Sequence, residues 1–183
     1  MKKKIMALLT AFGLALSSAV ALPDGVVSLD SLIEAKAETY GDYSYSLLSD
    51  NTIMINKYNG DDINIVVPET INGKTVSCIG QLFIPINAET VTLPDTITKI
   101  ENSAFSGCDK LKEINLPDSL TYLGIDAFSD CSSLTSISLP DSITSLNGTF
   151  MRCYSLKSIK LPKRLKTIGD HAIIIVRELN HLS

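Results

Sequence analysis

The sequence has no tryptophan, and its 183 residues include only six tyrosines, five phenylalanines and two histidines. So few aromatics argue against an aromatic-lined sugar cleft and leave branched aliphatic side chains to fill most of the core. His171 and His181 both lie near the C-terminus, so histidine-based acid–base or metal chemistry has little to work with. No nucleophile elbow, zinc-ligand pair or phosphate-cradling glycine loop occurs. Asp61 and Asp62 are adjacent acids in a polar turn, where solvation accounts for them; nothing places two carboxylates across a cleft. The chain therefore reads as non-enzymatic, with no catalytic residue, cofactor or metal site. Positive charge is also short: 16 basic against 20 acidic residues, a net charge of −4, argues against general nucleic-acid binding.

Only one long apolar run is present, and it opens the chain. Lys2, Lys3 and Lys4 precede an apolar stretch from Ile5 to Leu16, and Ser17-Ser18-Ala19-Val20-Ala21 follows. A basic start, a short apolar stretch and a small-residue exit form a secretory signal, with cleavage expected after Ala21; an uncleaved anchor is the alternative. Cleavage would leave 13 basic and 20 acidic residues, a net −7, in a protein secreted or held at the cell surface, with no membrane association after signal removal. The charge is uneven. Residues 22–151 carry 6 basic and 18 acidic groups, whereas residues 152–183 carry 7 basic and 2 acidic groups.

What the sequence does have is a repeat. Leu93-Pro94, Leu116-Pro117, Leu139-Pro140 and Leu161-Pro162 open four units, 23, 23 and 22 residues apart. The units read LPDTITKIENSAFSGCDKLKEIN, LPDSLTYLGIDAFSDCSSLTSIS, LPDSITSLNGTFMRCYSLKSIK and the degraded LPKRLKTIGDHAIIIVRELNHLS. A fixed period of this length implies stacked coils, each burying its apolar side on its neighbours. Within one unit, Ile114 and Leu116 point inward while Glu113 and Asn115 point outward, so this stretch is a short strand pairing in parallel with its equivalents. Pro117, without a backbone donor, ends the strand. Leu120, Leu123, Ala127, Phe128, Cys131 and Leu134 return to the core.

Cys108, Cys131 and Cys153 hold one equivalent position in consecutive units. They should stack roughly 4.8 Å apart, with parallel side-chain directions that suit a disulfide poorly. They read as small buried apolar groups, with a disulfide as the alternative for an exported chain.

The domain organisation expected is a signal peptide over 1–21, a linker over 22–39, an N-terminal β cap over 40–74 and the stacked repeats over 75–183, the last unit degenerate. Within the cap, residues 42–58 alternate around a Ser49-Asp50-Asn51 turn, Ile63 to Pro68 gives a third β run, and Asn72-Gly73 marks a turn. The C-terminal Ile173-Ile174-Ile175-Val176 lacks an obvious polar cap.

The pattern LPxS(I/L)TxIxxxAFxxCxxLxxI resembles the BspA-like leucine-rich repeats, a bacterial secreted and surface group. It covers residues 76–160 well and 161–179 in part, departing where the third unit is one residue short and where Ile173 and Val176 replace Phe and Cys. The resemblance implies a curved leucine-rich-repeat solenoid, mainly β with short turns or 3-10 segments, and a role in adhesion or binding. It implies no catalytic residues.

The outward ladder positions are the candidate ligand-binding residues: Thr90 and Thr92, Glu113 and Asn115, Ser136 and Ser138, Ser158 and Lys160. Four strands would make a face roughly 15 Å across. A second candidate is the basic cluster Lys157, Lys160, Lys163, Arg164 and Lys166, of which Lys163 and Arg164 join the ligand-binding set. A solvated polar surface is the alternative for both. The expected partner is an unidentified extracellular protein or glycan, with no nucleic acid. Self-association through an uncapped C-terminal coil is the alternative function.

Overall fold

The computed structural model describes residues 21–22, 25–26, 38–81, 83, 85–170 and 172. The chain divides into two compact units, residues 1–35 and 36–183. In the first, β1 (Ala21–Leu22) pairs antiparallel with β2 (Gly25–Val26). The expected signal peptide, apart from Ala21, lies outside the described residues, as do most of the expected linker and the apolar Ile173–Val176 run.

The second unit opens with an antiparallel meander of β3 (Glu38–Tyr40), β4 (Tyr43–Leu47) and β5 (Ile53–Tyr58). The β4–β5 turn is set by Asp50, whose Oδ1 accepts from Thr52 N at 3.0 Å and Thr52 Oγ1 at 2.7 Å, while Asn51 takes a left-handed φ of 67°. Next come β6 (Asn64–Val66) and a hairpin of β7 (Thr70–Ile71) with β8 (Lys74–Ile79). Asn72 and Gly73, at φ 51° and 76°, supply the two left-handed residues that such a two-residue turn needs.

From here each coil contributes two short strands. The first set is β9 (Thr90–Thr92), β11 (Glu113–Ile114), β13 (Ser136–Ser138) and β15 (Ser158–Lys160). The second is β10 (Lys99–Ile100), β12 (Tyr122–Leu123), β14 (Ser145–Leu146) and β16 (Thr167–Ile168). The first set builds a front ladder, β6–β9–β11 and then β13–β15, all parallel. The second builds a back ladder, β5–β8–β10–β12 and then β14–β16, also parallel.

The sequence reading anticipated the front ladder alone. The back ladder is an additional finding, although Thr98-Lys99-Ile100, Thr121-Tyr122-Leu123 and Thr144-Ser145-Leu146 recur with the same period. Within the expected cap, Asn64–Val66 is the first rung of the front ladder, pairing with Thr90–Thr92.

A third backbone column runs along the corner after the back strands. Ser103, Phe105 and Gly107 N–H groups donate to Ile125, Ala127 and Ser129 carbonyls, and Asp126, Phe128 and Asp130 donate in turn to Asn147, Thr149 and Met151. Turns of the i→i+3 type, such as Cys108 N to Phe105 O at 3.2 Å and Leu111 N to Cys108 O at 3.1 Å, shape this corner in place of a helix. This column continues where both ladders break. No backbone bond joins β11 to β13 or β12 to β14. Ser142 Oγ still bridges that junction by donating to the Leu120 carbonyl.

The core is built of side-chain columns. Phe83, Phe105, Phe128 and Phe150 are fully buried. The last three stack nearly parallel at 5.2 and 5.8 Å, and Phe83 meets Phe105 edge-on at 5.4 Å. Ala104 and Ala127 leave room beside the rings. Gly124 is needed for close approach, because a Cβ there would collide with the Asn102 backbone nitrogen.

All four cysteines are free and buried. Cys131 Sγ donates to the Phe105 carbonyl at 3.2 Å, and Cys153 Sγ to the Phe128 carbonyl at 3.1 Å. Each thiol thus ties its coil to the previous one. Burial pushes the Cys108 and Cys153 thiols up to about 12 and raises Cys131 further.

Candidate functional site

The outward side of the front ladder has five rungs. Register places Asn64 beside Thr90 and Thr90 beside Glu113, Val66 beside Thr92, Ser136 beside Ser158, and Ser138 beside Lys160. Strand alternation fixes this: Ile65, Val91, Ile114 and Ile137 are buried between them. Seven of the eight expected face residues are exposed, and Thr90 is half-buried.

Two of the eight are engaged in holding the stack. Asn115 Oδ1 accepts from Leu93 N at 2.7 Å and its Nδ2 donates to Leu93 O at 2.9 Å, extending the ladder through a side chain just beyond Ile114. Thr90 Oγ1 donates to Asn64 Oδ1 at 2.8 Å. Thr92, Glu113, Ser136, Ser138, Ser158 and Lys160 make no side-chain hydrogen bond or ion pair with another described residue. The unbonded β11–β13 junction splits the face into a three-rung and a two-rung part.

Lys163 and Arg164 sit in the turn after β15, both exposed. Lys163 N donates to Asp141 Oδ1 at 3.0 Å, and its Nζ lies 3.5 Å from Asp141 Oδ2. The Lys163 backbone N–H, followed by the Lys163 and Lys160 charges, holds the Asp141 carboxyl below its ordinary value.

Sequence reasoning missed the fifth rung, Asn64 and Val66, because Pro68-Glu69 was not aligned with the later Leu-Pro turns. Val66 is 69% exposed and gives that rung an apolar spot. It also missed the outward positions of the back ladder, where Lys99 Nζ lies 5.0 Å above the Tyr122 ring and 2.8 Å from Glu101 Oε1.

The described residues also include a cleft of about 240 Å³ whose lining includes Lys57, Tyr58, Asp61, Asp62, Pro85 and Ile86. Tyr58 Oη donates to Asp62 Oδ2 there, and burial, then that bond, raises the tyrosine well above its ordinary value. Among the described residues no group of three or more His, Cys, Asp or Glu side chains converges as a metal site would need.

Residues 80–182 match the BspA type leucine rich repeat region, in six copies. The fold is similar to that of a leucine rich cell surface protein from Faecalibacterium prausnitzii, at 26% identity and a TM-score of 0.52, over 75% of this chain and 51% of that one. A leucine-rich repeat protein from Bacteroides capillosus shares it at 23% identity and a TM-score of 0.54, over 72% of this chain and 96% of that one. The pneumococcal vaccine antigen PcpA shares it at 18% identity and a TM-score of 0.53, over 76% and 47%. The chain thus spans about half the length of the Faecalibacterium protein. No curated protein matches it. Two parallel ladders, a stacked phenylalanine corner and a six-copy match agree: the chain belongs to the BspA-type leucine-rich repeat family.

Proposed function

We propose that the chain is a non-enzymatic, secreted or cell-surface binding protein that presents the front ladder to an extracellular protein or glycan. The observation that carries this reading is the set of outward polar side chains held in register on three parallel rungs and then on two, most without a partner among the described residues. A rigid, repetitive face orders no loops on binding, which lowers the entropic cost of association. Short Ser and Thr side chains let a partner's surface approach closely. The 26% identity to a protein described as a cell surface protein supports the location. Full-length protein applied at low salt to an array of extracellular matrix proteins and bacterial and host glycans tests the reading. Specific, saturable hits are expected, and an array without hits counts against adhesion.

Self-association is the second reading, and one contrast favours it. Ile168 is 55% exposed, whereas its equivalents Ile100, Leu123 and Leu146 are 0%, 9% and 1% exposed. Size measured across a wide concentration range separates the two, since a monomer throughout would leave only the first.

A further inference from the structure

The turn after the front strands carries one acid per coil until the last described one. The residues following Pro68, Pro94, Pro117, Pro140 and Pro162 are Glu69, Asp95, Asp118, Asp141 and Lys163, all exposed. Neighbouring columns change in the same coil. Lys160 stands where Thr92, Asn115 and Ser138 stand earlier, Arg164 where Thr96, Ser119 and Ser142 stand, and Lys166 where Thr98, Thr121 and Thr144 stand. Residues 38–151 hold 15 acidic and 5 basic side chains, whereas residues 152–170 hold 6 basic and one acidic.

Cations elsewhere in the stack are mostly matched. Lys112 meets Glu89 at 2.8 Å, Arg152 meets Asp130 at 2.5 Å, and Lys110 donates to Asn87 at 2.9 Å. Among the described residues of the last coil, only Lys163 has such a partner. Lys157, Lys160, Arg164 and Lys166 are exposed and form no ion pair with any described residue. They run from the start of β15, round the proline turn, to the start of β16, and so form a cationic edge along one coil.

We propose that this edge binds a linear acidic polysaccharide laid across the stack, along the last coil. The inference rests on the reading of the chain as a binding protein, and it names the partner's chemistry. Lysine is depleted from protein–protein interfaces, whose energy comes from buried aromatic and arginine anchors. No aromatic occurs from 155 to 170, and Tyr154, 60% exposed, stands three residues before Lys157. Flexible point charges strung along one coil suit a ligand whose anionic groups repeat along a hydrated chain. The acidic columns of the earlier coils repel a polymer running along the stack and so set its direction.

The probe is dextran sulfate, with uncharged dextran and poly-glutamate beside it, titrated against the full chain from about 50 to about 300 mM salt. The full chain should bind dextran sulfate, ignore dextran, and lose about tenfold affinity over that range. A Lys157→Gln/Arg164→Gln/Lys166→Gln variant should weaken binding at least about tenfold, while Lys57→Gln/Lys74→Gln/Lys110→Gln, which removes equal charge elsewhere, should change it less than about twofold. Both variants are checked for unaltered melting. A Thr92→Tyr/Ser136→Tyr variant of the ladder face should bind dextran sulfate as the wild type does, which separates failure of this edge from failure of the face. Absence of binding at low salt, or equal loss in the two glutamine variants, overturns the proposal. Poly-glutamate bound as tightly as dextran sulfate overturns the choice of polysaccharide and assigns the edge to an acidic polypeptide.

Discussion

Asp130 and Arg152 occupy the same place in consecutive coils, both in left-handed backbone at φ 62° and 58°, and their side chains form a two-pronged ion pair at 2.5 and 2.9 Å. One coil earlier the same place is held by Gly107 at φ 78°. The corner therefore imposes a conformation that glycine adopts freely and other residues adopt at a cost. Arg152→Gly and Arg152→Ala both remove the ion pair, but only alanine keeps the backbone penalty. The glycine variant should be more stable than the alanine variant by about 1 kcal/mol in urea unfolding. Equal stabilities would mean that the corner conformation is not imposed.

The same pair sets a pH effect. The Arg152 hydrogen bonds hold the Asp130 carboxyl below its ordinary value. A lowered folded-state value contributes stability above the unfolded carboxylate range, and this is lost as pH falls through the folded value. The stability difference between wild type and Asp130→Asn should therefore be present at neutral pH and shrink in the acid range below about pH 4. Unfolding midpoints measured along that range check it, and a difference that grows on acidification would contradict it.

The thiols act in the alkaline range. Burial raises the Cys108 and Cys153 thiols from 9.0 to about 12, so they stay neutral in the fold while the unfolded chain ionises above about pH 9. Stability should fall between about pH 9 and 12, and less steeply in a Cys108→Ala/Cys153→Ala variant. At pH 8 a thiol reagent should label none of the four cysteines in the native protein and all four in denaturant. Fast native labelling, or a mass two units light without reductant, would contradict the buried free-thiol stack.

Phe128 is the middle ring of the corner column, 5.2 Å from Phe105 and 5.8 Å from Phe150. Phe128→Ala should cost about 3–5 kcal/mol, since it empties a fully buried site and interrupts the stack on both sides. Gly124→Ala should cost about 1–3 kcal/mol, because its Cβ would meet the backbone of Asn102 and Glu101. Gly169→Ala should cost less, as the nearest atoms belong to the Asn147 side chain, which can move.

Much of this fold is legible in the sequence, because period and alternation are carried by side-chain type. Ile114, Ile137, Phe128 and Cys131 announce their burial, and Ser136, Ser138 and Ser158 announce the outward face. The back ladder escaped because its strands span two residues each, too few to show alternation on their own. Asn115 looks like any polar face residue, yet its amide closes the ladder on Leu93, a role that depends on geometry across coils. The breaks at β11–β13 and β12–β14 leave no mark in a repeat that stays 23 residues long there, since backbone pairing is not written in side-chain identity.

Binding through the front ladder face can be read against binding elsewhere on the stack. Three proteins are applied in parallel to the array of matrix proteins and glycans: the wild type, the face variant Thr92→Tyr/Ser136→Tyr, and a back-ladder variant, Ser145→Tyr/Thr167→Tyr. All four positions are exposed, so each variant keeps the core. The face variant should lose at least about tenfold affinity for the wild-type hits other than acidic polysaccharides, and the back-ladder variant should retain them within about twofold. Hits kept by the face variant and lost by the back-ladder variant would contradict binding through the front ladder face.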